Sequence, residues 1–291
     1  MIALASMISV LAYGFVLGGW FKPKSTLDEH LAELQDHCHV EIPEGKMPSN
    51  GFPTAVLVPG CLGSREHHQE WGEAICAAGW ATVTVDSFAP RRLHGDVRLS
   101  RICHGGRPWG FVRAVNVIAA VTIASQRTEL DADRVTLLGW AHGGWSVMDA
   151  LSSGDVSRPT NLIETPPDWS DGVLASLLFY PYCGFGSRTE RFGWVWDIPT
   201  MLFMRSDDRT VLPGVCVSAA ERLQRDTVRT ELSLFGGVTH WFDNSGDLDS
   251  SDHAFDQKLT RRVRSEVIEK LGNLAQDPCE AETTPIIQCK G

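Results

Sequence analysis

Short apolar runs alternate with helical stretches along most of the chain. Each run is short enough to be a buried strand, and turn residues such as Gly, Pro and Asp lie at most of the run ends. The runs are TAVLVPG (54–60), WATVTVD (80–86), RVTLLGW (134–140), GVLASLLFYPYC (172–183), PTMLFMRSD (199–207) and TELSLFGG (230–237). Helical periodicity occurs between them at 70–78, 109–128 and 143–152. This alternation predicts an α/β fold with a mainly parallel sheet and helices on both faces.

Composition predicts a globular chain with a sizeable buried core and excludes some partners. Of the 291 residues, 43% are hydrophobic and 21% are charged, which is close to the globular average. The formal net charge of −10 argues against a nucleic-acid partner, because such proteins normally carry a basic patch. No signal for an oligomeric state is present.

The N-terminal segment predicts a membrane tether. Residues 2–20 carry no charge and are just long enough to span a bilayer. No basic n-region or cleavage site is clear, so an uncleaved anchor is favoured over a signal peptide, with a buried helix as the alternative. The positive charges of Lys22 and Lys24 favour a cytoplasmic location for the residues that follow the anchor. This orientation conflicts with an exported domain. The predicted organisation is an anchor or signal segment (1–21), one domain (22–275) and an irregular tail (276–291).

Two helices flank the predicted sheet in sequence. One is predicted over 25–38, with Thr26 and Glu29 as a capping box. The other is predicted over 252–271, with Phe255 on its apolar face. Residues 153–171 and 184–198 are long connections of the kind that form lids or binding loops.

The sequence Gly139-Trp140-Ala141-His142-Gly143-Gly144 follows the third predicted strand and opens a helix. This strand–turn–helix context is that of a nucleophile elbow, G-x-S-x-G, in which a sharp turn presents the nucleophile. The position of the nucleophile is occupied by Ala141. An alanine cannot form a covalent intermediate, so this chain lacks the reactive side chain that such a turn normally presents.

An acid and a histidine follow later strands in the expected order. Asp207 and Asp208 follow the fifth predicted strand, and His240 follows the sixth. Because ligands bind beyond the carboxyl ends of parallel strands, these groups are expected to meet at one edge of the sheet. The order of elbow, acid and histidine predicts His240 as general base and an aspartate that orients it. Cys61 and His142 lie where two oxyanion-hole N–H groups are expected.

These stretches resemble the dienelactone hydrolase family of α/β-hydrolases. The resemblance covers roughly residues 53–245 and is carried by VLVPGCLGSREHHQEWGEAICAAGWATVTVDSFAPR, ELDADRVTLLGWAHGG, LLFYPYCG, RSDDRTVLPGVC and GGVTHWFD. It implies the α/β-hydrolase fold and hydrolysis of a carboxylic ester or lactone without cofactor or metal. It also favours Asp208 over Asp207, because Asp208 lies nine residues after Pro199. Two positions depart from the family pattern. Pro59-Gly60 stands where the family usually has His-Gly, and Arg205 stands where it usually has a glycine.

Three explanations of Ala141 remain open at the level of sequence. It is an inactivating replacement of serine, a natural loss that leaves a protein binding a small ligand or partner in the former pocket, or a sign that the nucleophile has moved. Ser146 is the nearest hydroxyl in sequence, but its place in the helix turns it away from the elbow.

Further candidates line the predicted site. Trp140 and Trp241 neighbour the nucleophile position and the histidine and are expected to wall an apolar substrate pocket. Arg91 is a candidate for binding a substrate carboxylate, with a structural ion pair as the alternative. His67 and His68 are interpreted as polar residues at a helix start near the mouth of the site, because adjacent helical histidines point in different directions.

The chain contains eight cysteines and no C-x-x-C motif. Four of them lie near strand ends, and the pairs Cys61–Cys103 and Cys183–Cys216 fit the family resemblance, although connectivity cannot be read from sequence. Disulfides at these places predict an oxidising compartment, so the protein is expected to be membrane-anchored or exported.

Overall fold

A computed structural model describes residues 25–93, 102–103, 108–154, 162–164, 168–208, 210–211, 213–225, 228–237, 239–246 and 254–276. Strands and helices alternate along these segments. The strands are β1 (Cys38–Glu41), β2 (Phe52–Val58), β3 (Ala81–Val85), β4 (Leu130–Trp140), β5 (Val173–Phe179), β6 (Thr200–Arg205) and β7 (Thr230–Phe235). The helices are α1 (Leu27–Leu34), α2 (Glu66–Ala77), α3 (Gly110–Ser125), α4 (His142–Leu151), α5 (Arg188–Phe192), α6 (Pro213–Arg225) and α7 (Gln257–Ala275).

The described strands form one seven-stranded sheet in the order β1-β3-β2-β4-β5-β6-β7. β1 pairs antiparallel with β3, and every other neighbouring pair is parallel. The parallel strands therefore end at the same edge, where the residues that follow them gather. This architecture confirms the predicted mainly parallel α/β fold, and the six predicted strands correspond to β2–β7.

Two apolar layers cover the sheet. β2 is buried along its whole length, as expected of a central parallel strand with helices on both faces. On one face α3 is nearly enclosed, because α1 and α4 pack against it. On the other face α2 and α7 cover a core that includes Trp71, Trp140, Phe179 and Phe203. Several large aromatic rings therefore lie close to the strand ends.

The predicted helix over 25–38 is wrong at its C-terminal end. Its capping box is present, but α1 ends at Leu34 and a 3₁₀ turn leads into β1 at Cys38. The backbone N–H of Asp86 donates to the carbonyl oxygen of His37, which brings this segment to the edge of β3. Pairing with a distant strand thus overrides the local helical pattern.

Other boundaries also shift. α2 begins at Glu66, four residues before the predicted start. α7 begins at Gln257, because the Asp256 side chain caps it by accepting the N–H of Leu259. Phe255 lies before this cap and is 41% exposed, so its predicted place on the apolar face is wrong. α5 and α6 were not predicted, and α5 lies inside the predicted loop 184–198.

Two disulfides join the loops around the strand ends. Cys61 is bonded to Cys103 and Cys183 to Cys216, with Cα–Cα distances of 5.2 and 5.1 Å. Both predicted pairings are confirmed, and such bridges are typical of oxidising compartments. No helix in the described segments has the length and hydropathy needed to cross a membrane. The predicted anchor at 2–20 and the tail after residue 276 lie outside those segments.

Replacing Cys183 and Cys216 together by alanine is expected to lower the free energy of unfolding by about 3 kcal/mol, since the bridge closes a chain loop that is otherwise free in the unfolded state. Urea denaturation under non-reducing conditions measures the change. Cys76→Ser is the control, because Cys76 has a free thiol. An unchanged midpoint in the double variant would contradict the expected contribution of the bridge.

Candidate active site

The turn between β4 and α4 holds one residue in a strained conformation. Ala141 has φ 47° and ψ −110°, a backbone region that residues with a side chain rarely adopt. Hydrogen bonds fix it from both sides: its N–H donates to Phe179 O at 2.9 Å, and its carbonyl accepts the N–H of Trp145 at 3.0 Å. Strain of this kind persists only when the surrounding structure imposes it, and it is common at functional sites.

Glycines on both sides of the turn allow this close packing. A Cβ at Gly139 would lie 2.8 Å from the Cα of Gly144. A Cβ at Gly143 would overlap the carbonyl oxygen of Val58 at the end of β2. Only glycine fits at these two positions, so the sequence pattern around Ala141 follows from the sharpness of the turn.

His240 and Asp208 form a buried pair at the same edge of the sheet. His240 Nδ1 lies 2.6 Å from Asp208 Oδ2, and the two residues are 2% and 4% exposed. The other oxygen of Asp208 accepts the backbone N–H groups of Thr210 at 2.7 Å and Val211 at 3.3 Å. The carboxylate is therefore held in place and can fix the orientation of the imidazole.

Electrostatics keep Asp208 ionised. Burial alone would raise its pKa, but the hydrogen bond and charge of His240 and the two backbone N–H groups lower it below its usual value. Asp207 has a different role: it pairs with the Arg205 guanidinium at 2.7 Å, and its side chain is 61% exposed. The structure thus places Asp208, and not its neighbour, against His240.

The two predicted oxyanion-hole residues flank Ala141, and a fully buried arginine ties their segments together. Arg113 Nη1 donates to His142 Nδ1 at 2.9 Å, and Nη2 donates to the carbonyl of Pro59 at 2.9 Å. His142 Nε2 donates to Pro108 O at 2.8 Å. Burial and the adjacent Arg113 charge lower the pKa of His142 to about 3, so this ring is neutral and accepts from Arg113.

Two clefts meet at position 141. Cleft A spans about 310 Å³, open space at its mouth included, and runs from the 60–65 loop to Asn244. Cleft B spans about 380 Å³, counted in the same way, and runs from the Cys61–Cys103 bridge to His240. Ala141, Cys61 and Trp241 line both clefts, whereas Trp140 lines only cleft A. A molecule bound across position 141 would therefore have one part in each cleft, with His240 on the side of cleft B.

A buried carboxylate fixes the aromatic wall of cleft A. Asp243 accepts the indole N–H groups of Trp71 and Trp140, each at 2.9 Å, and the hydroxyl of Tyr180 at 2.6 Å. The Tyr180 ring also packs against His240, with ring centroids 4.7 Å apart. Burial and Asp243 raise the pKa of Tyr180 well above its usual value, so its hydroxyl remains a donor.

Two sequence candidates lie away from the clefts. Arg91 donates to the carbonyl of Ser87 and lines neither cleft A nor cleft B. Arg91 is therefore not placed to contact the carboxylate of a substrate bound in these two clefts. Ser146 is fully buried and donates to His142 O at 2.7 Å, which makes it part of α4 and not a substitute nucleophile.

Several residues of the site were missed from sequence. Arg113 had a signal, since it is the only charged residue within the apolar helix 110–125. Asp243 lies three residues after His240, but no sequence motif around it identifies it as a residue of the site. His67 and His68 lie at the start of α2 and line cleft A, in agreement with their predicted place near the site, but both are buried.

Among the residues whose positions are described, no cluster of three or more His, Cys, Asp or Glu side chains could hold a metal ion. No family model and no curated protein matches the sequence.

Solved structures match the fold of the chain at low sequence identity. A dienelactone hydrolase-like promiscuous phosphotriesterase, P91, from metagenomic libraries has a TM-score of 0.61 and 17% identity, over 81% of this chain and 92% of its own. Esterase 2 of Thermogutta terrifontis, phosphoramylated by tabun, has a TM-score of 0.56 and 19% identity, over 82% and 91%. The same esterase with butyrate bound has a TM-score of 0.55 and 17% identity, over 82% and 91%. The chain thus has the α/β-hydrolase fold in the form found in dienelactone hydrolase-like proteins and esterases.

Proposed function

We propose that this chain has the active site of a carboxylic ester or lactone hydrolase of the dienelactone hydrolase kind, in which Ala141 occupies the position of the nucleophilic serine and makes the chain inactive. The observation that carries the proposal is the buried His240–Asp208 pair, 2.6 Å apart, beside a strained residue where two clefts meet. The fold likeness to esterases and to a phosphotriesterase supports the same reaction class.

The site is suited to acyl transfer once position 141 carries a hydroxyl. The Asp208 carboxylate accepts a hydrogen bond from Nδ1–H of His240. The other ring nitrogen, Nε2, is therefore the base that accepts the proton of the attacking hydroxyl. The ester carbonyl carbon is attacked, and the backbone N–H groups of Cys61 and His142 stabilise its oxygen as it becomes negative. His240 lines cleft B, so it returns the proton to an alcohol leaving from that side. The acyl group remains in cleft A until water releases it.

The unaltered chain lacks the first step of this sequence. With a methyl group at position 141, no oxygen is present to form the acyl–enzyme bond. Binding and oxyanion stabilisation remain, and these alone give only a small residual rate. The chain is therefore expected to bind an ester without consuming it at an appreciable rate.

Proton NMR of a small phenyl ester tests this proposal. The unaltered chain is expected to show saturation transfer to an ester that stays intact. The Ala141→Ser variant is expected to convert the ester to acid and phenol, and adding His240→Ala to that variant should stop the conversion. If the Ala141→Ser variant folds but leaves several esters and lactones intact, the hydrolase proposal fails.

Ala141 itself favours a second candidate function, a binding protein that uses the former active-site pocket for a small ligand or partner. The clefts on both sides of position 141 offer the space. This candidate predicts that the Ala141→Ser variant hydrolyses no ester, while the unaltered chain still binds a ligand that occupies the two clefts. Turnover by the variant would favour the hydrolase.

A further inference from the structure

Cleft B has aromatic side chains that a bound molecule can reach. Tyr182 and Trp241 both line this cleft, and both are only half-buried. The Tyr182 ring packs on the buried Trp145, with ring centroids 4.8 Å apart, and the Trp241 ring packs on His240 at 5.7 Å. Aromatic surface therefore remains accessible in the cleft beside the proposed general base.

Tyr182 is anchored next to the nucleophile position. Its backbone N–H donates to the carbonyl oxygen of Ala141 at 3.3 Å, and its hydroxyl donates to Phe185 O, also at 3.3 Å. The side chain is thus tied at both of its ends. A ring that is already held in place loses little freedom when a ligand packs on it, so more of the contact energy appears as affinity.

The polar groups of cleft B leave little to bind a polar substituent. The His142 ring lines the cleft, but its Nδ1 accepts from Arg113 and its Nε2 donates to Pro108 O. No Asp, Glu, Lys or Arg side chain lines this cleft among the residues described. A polar group placed against such a surface would give up hydrogen bonds to water without replacing them.

Cleft A differs in chemistry. Arg65 and Asn244 line it, and Arg65 is exposed. Trp140 and Tyr180 also line cleft A, but each is only 1% exposed, so neighbouring residues already cover most of their surface. The two clefts are therefore unequal, and an ester with one aromatic part and one small part has a preferred direction across position 141.

We propose that cleft B binds the aromatic alcohol part of an ester, and that Tyr182 and Trp241 determine this specificity. The inference rests on the proposed function, in which the alcohol leaves on the side of His240. The bond that breaks joins the carbonyl carbon to the alcohol oxygen, and His240 gives its proton to that oxygen. Water then releases the acyl group. The substrate class is narrowed to esters of aromatic alcohols.

An alcohol that carries a quaternary ammonium group is the rival occupant, because aromatic rings also attract cations. Two observations favour the neutral ring. No described carboxylate lines cleft B to pair with a cation. His240 lines the same cleft, and it becomes positively charged when it accepts the proton of the attacking hydroxyl. A cation bound beside it would be repelled at that step.

Two isomeric esters test the direction of binding. Benzyl acetate has its ring on the alcohol side and methyl phenylacetate has it on the acyl side, and both release alcohols of similar acidity. Values of kcat/KM are measured with the Ala141→Ser variant and divided by the rate of hydrolysis by hydroxide. Benzyl acetate is expected to be preferred by about 30-fold, the range that one well-filled apolar pocket gives. Acetylcholine is expected to be a poorer substrate than benzyl acetate.

Matched variants of Tyr182 separate recognition from folding. In the Ala141→Ser background, Tyr182→Leu is expected to reduce the preference to about fivefold or less, and Tyr182→Phe, which keeps the ring, should retain it. The same two changes are made in the unaltered chain, where turnover is not needed. There, saturation transfer to benzyl acetate should give a dissociation constant raised about fivefold by Tyr182→Leu and by no more than about twofold by Tyr182→Phe.

Several results would overturn the inference while hydrolysis itself upholds the proposed function. They are equal corrected rates for the two isomers, a preference for methyl phenylacetate or acetylcholine, and an unchanged preference in the Tyr182→Leu variant. If a folded Ala141→Ser variant hydrolyses none of the esters, the proposed function fails and the inferred substrate class fails with it.

Discussion

Replacing Ala141 by serine is expected to raise the rate of phenyl-ester hydrolysis by at least about 10³-fold, since in related triads the nucleophile accounts for most of kcat. The turn already holds residue 141 at φ 47° with a Cβ in place, so the change adds only one oxygen. His240 and Asp208 are already paired beside it. The chain therefore needs no rearrangement to gain the missing group. Initial rates measured with a phenyl ester give the ratio.

Two controls belong to this prediction. Ala141→Gly should stabilise the protein by about 1 kcal/mol, because glycine relieves the strain at positive φ, and it should give no hydrolysis. Asp208→Asn in the Ala141→Ser background should lower kcat by about 10⁴-fold, because the imidazole loses its orienting carboxylate. The exposed Asp207→Asn is the matched variant and should keep most of the rate. A serine variant no faster than the unaltered chain would contradict the proposed role of position 141.

Arg113→Met is expected to lower the free energy of unfolding by about 4 kcal/mol, since it leaves buried acceptors without donors. The guanidinium donates to His142 Nδ1, to Pro59 O and, at 3.4 Å, to Ser87 Oγ. It also stacks on the Phe88 ring at 4.5 Å. These contacts join the loops after β2 and β3 to the start of α4. Urea denaturation measures the loss.

The same change is expected to slow hydrolysis in the Ala141→Ser background by about 10²-fold, the usual cost of displacing one oxyanion-hole donor. Arg113 holds the His142 ring and the carbonyl of Pro59, two residues before Cys61, so losing this anchor displaces at least one of the two proposed N–H donors. Arg127→Met is the control, because Arg127 is 41% exposed in a surface pair with Glu129. It should change stability by no more than about 0.5 kcal/mol. Unaltered stability and rate in Arg113→Met would show that the arginine holds neither loop.

The sequence predicted the sheet and the order of the site residues because both depend on local patterns. Buried parallel strands have continuous apolar runs, and their carboxyl ends meet at one edge. Gly139 and Gly143 revealed the sharp turn because no larger residue fits there. Both signals lie within a few residues of the feature that they predict.

The features missed from sequence depend on contacts between distant residues. Asp243 accepts from Trp71, which is 172 residues away in sequence, and from Trp140, which is 103 residues away. β1 forms only because its backbone meets the edge of β3. His67 and His68 are adjacent in a helix, and nothing local indicates that packing against Trp140 encloses them in cleft A. Periodicity carries no information on such partners.

The most direct test of the central claim is to trap the acyl group on the Ala141→Ser variant. The variant is mixed with a phenyl ester, quenched in acid within its first turnovers and digested for peptide mass spectrometry. The account predicts a mass increase equal to the acyl group on the peptide that contains position 141, and no increase when His240→Ala is added. An acyl group on another peptide, or hydrolysis with no acylated peptide at any quench time, would contradict the assignment of position 141 as the nucleophile position.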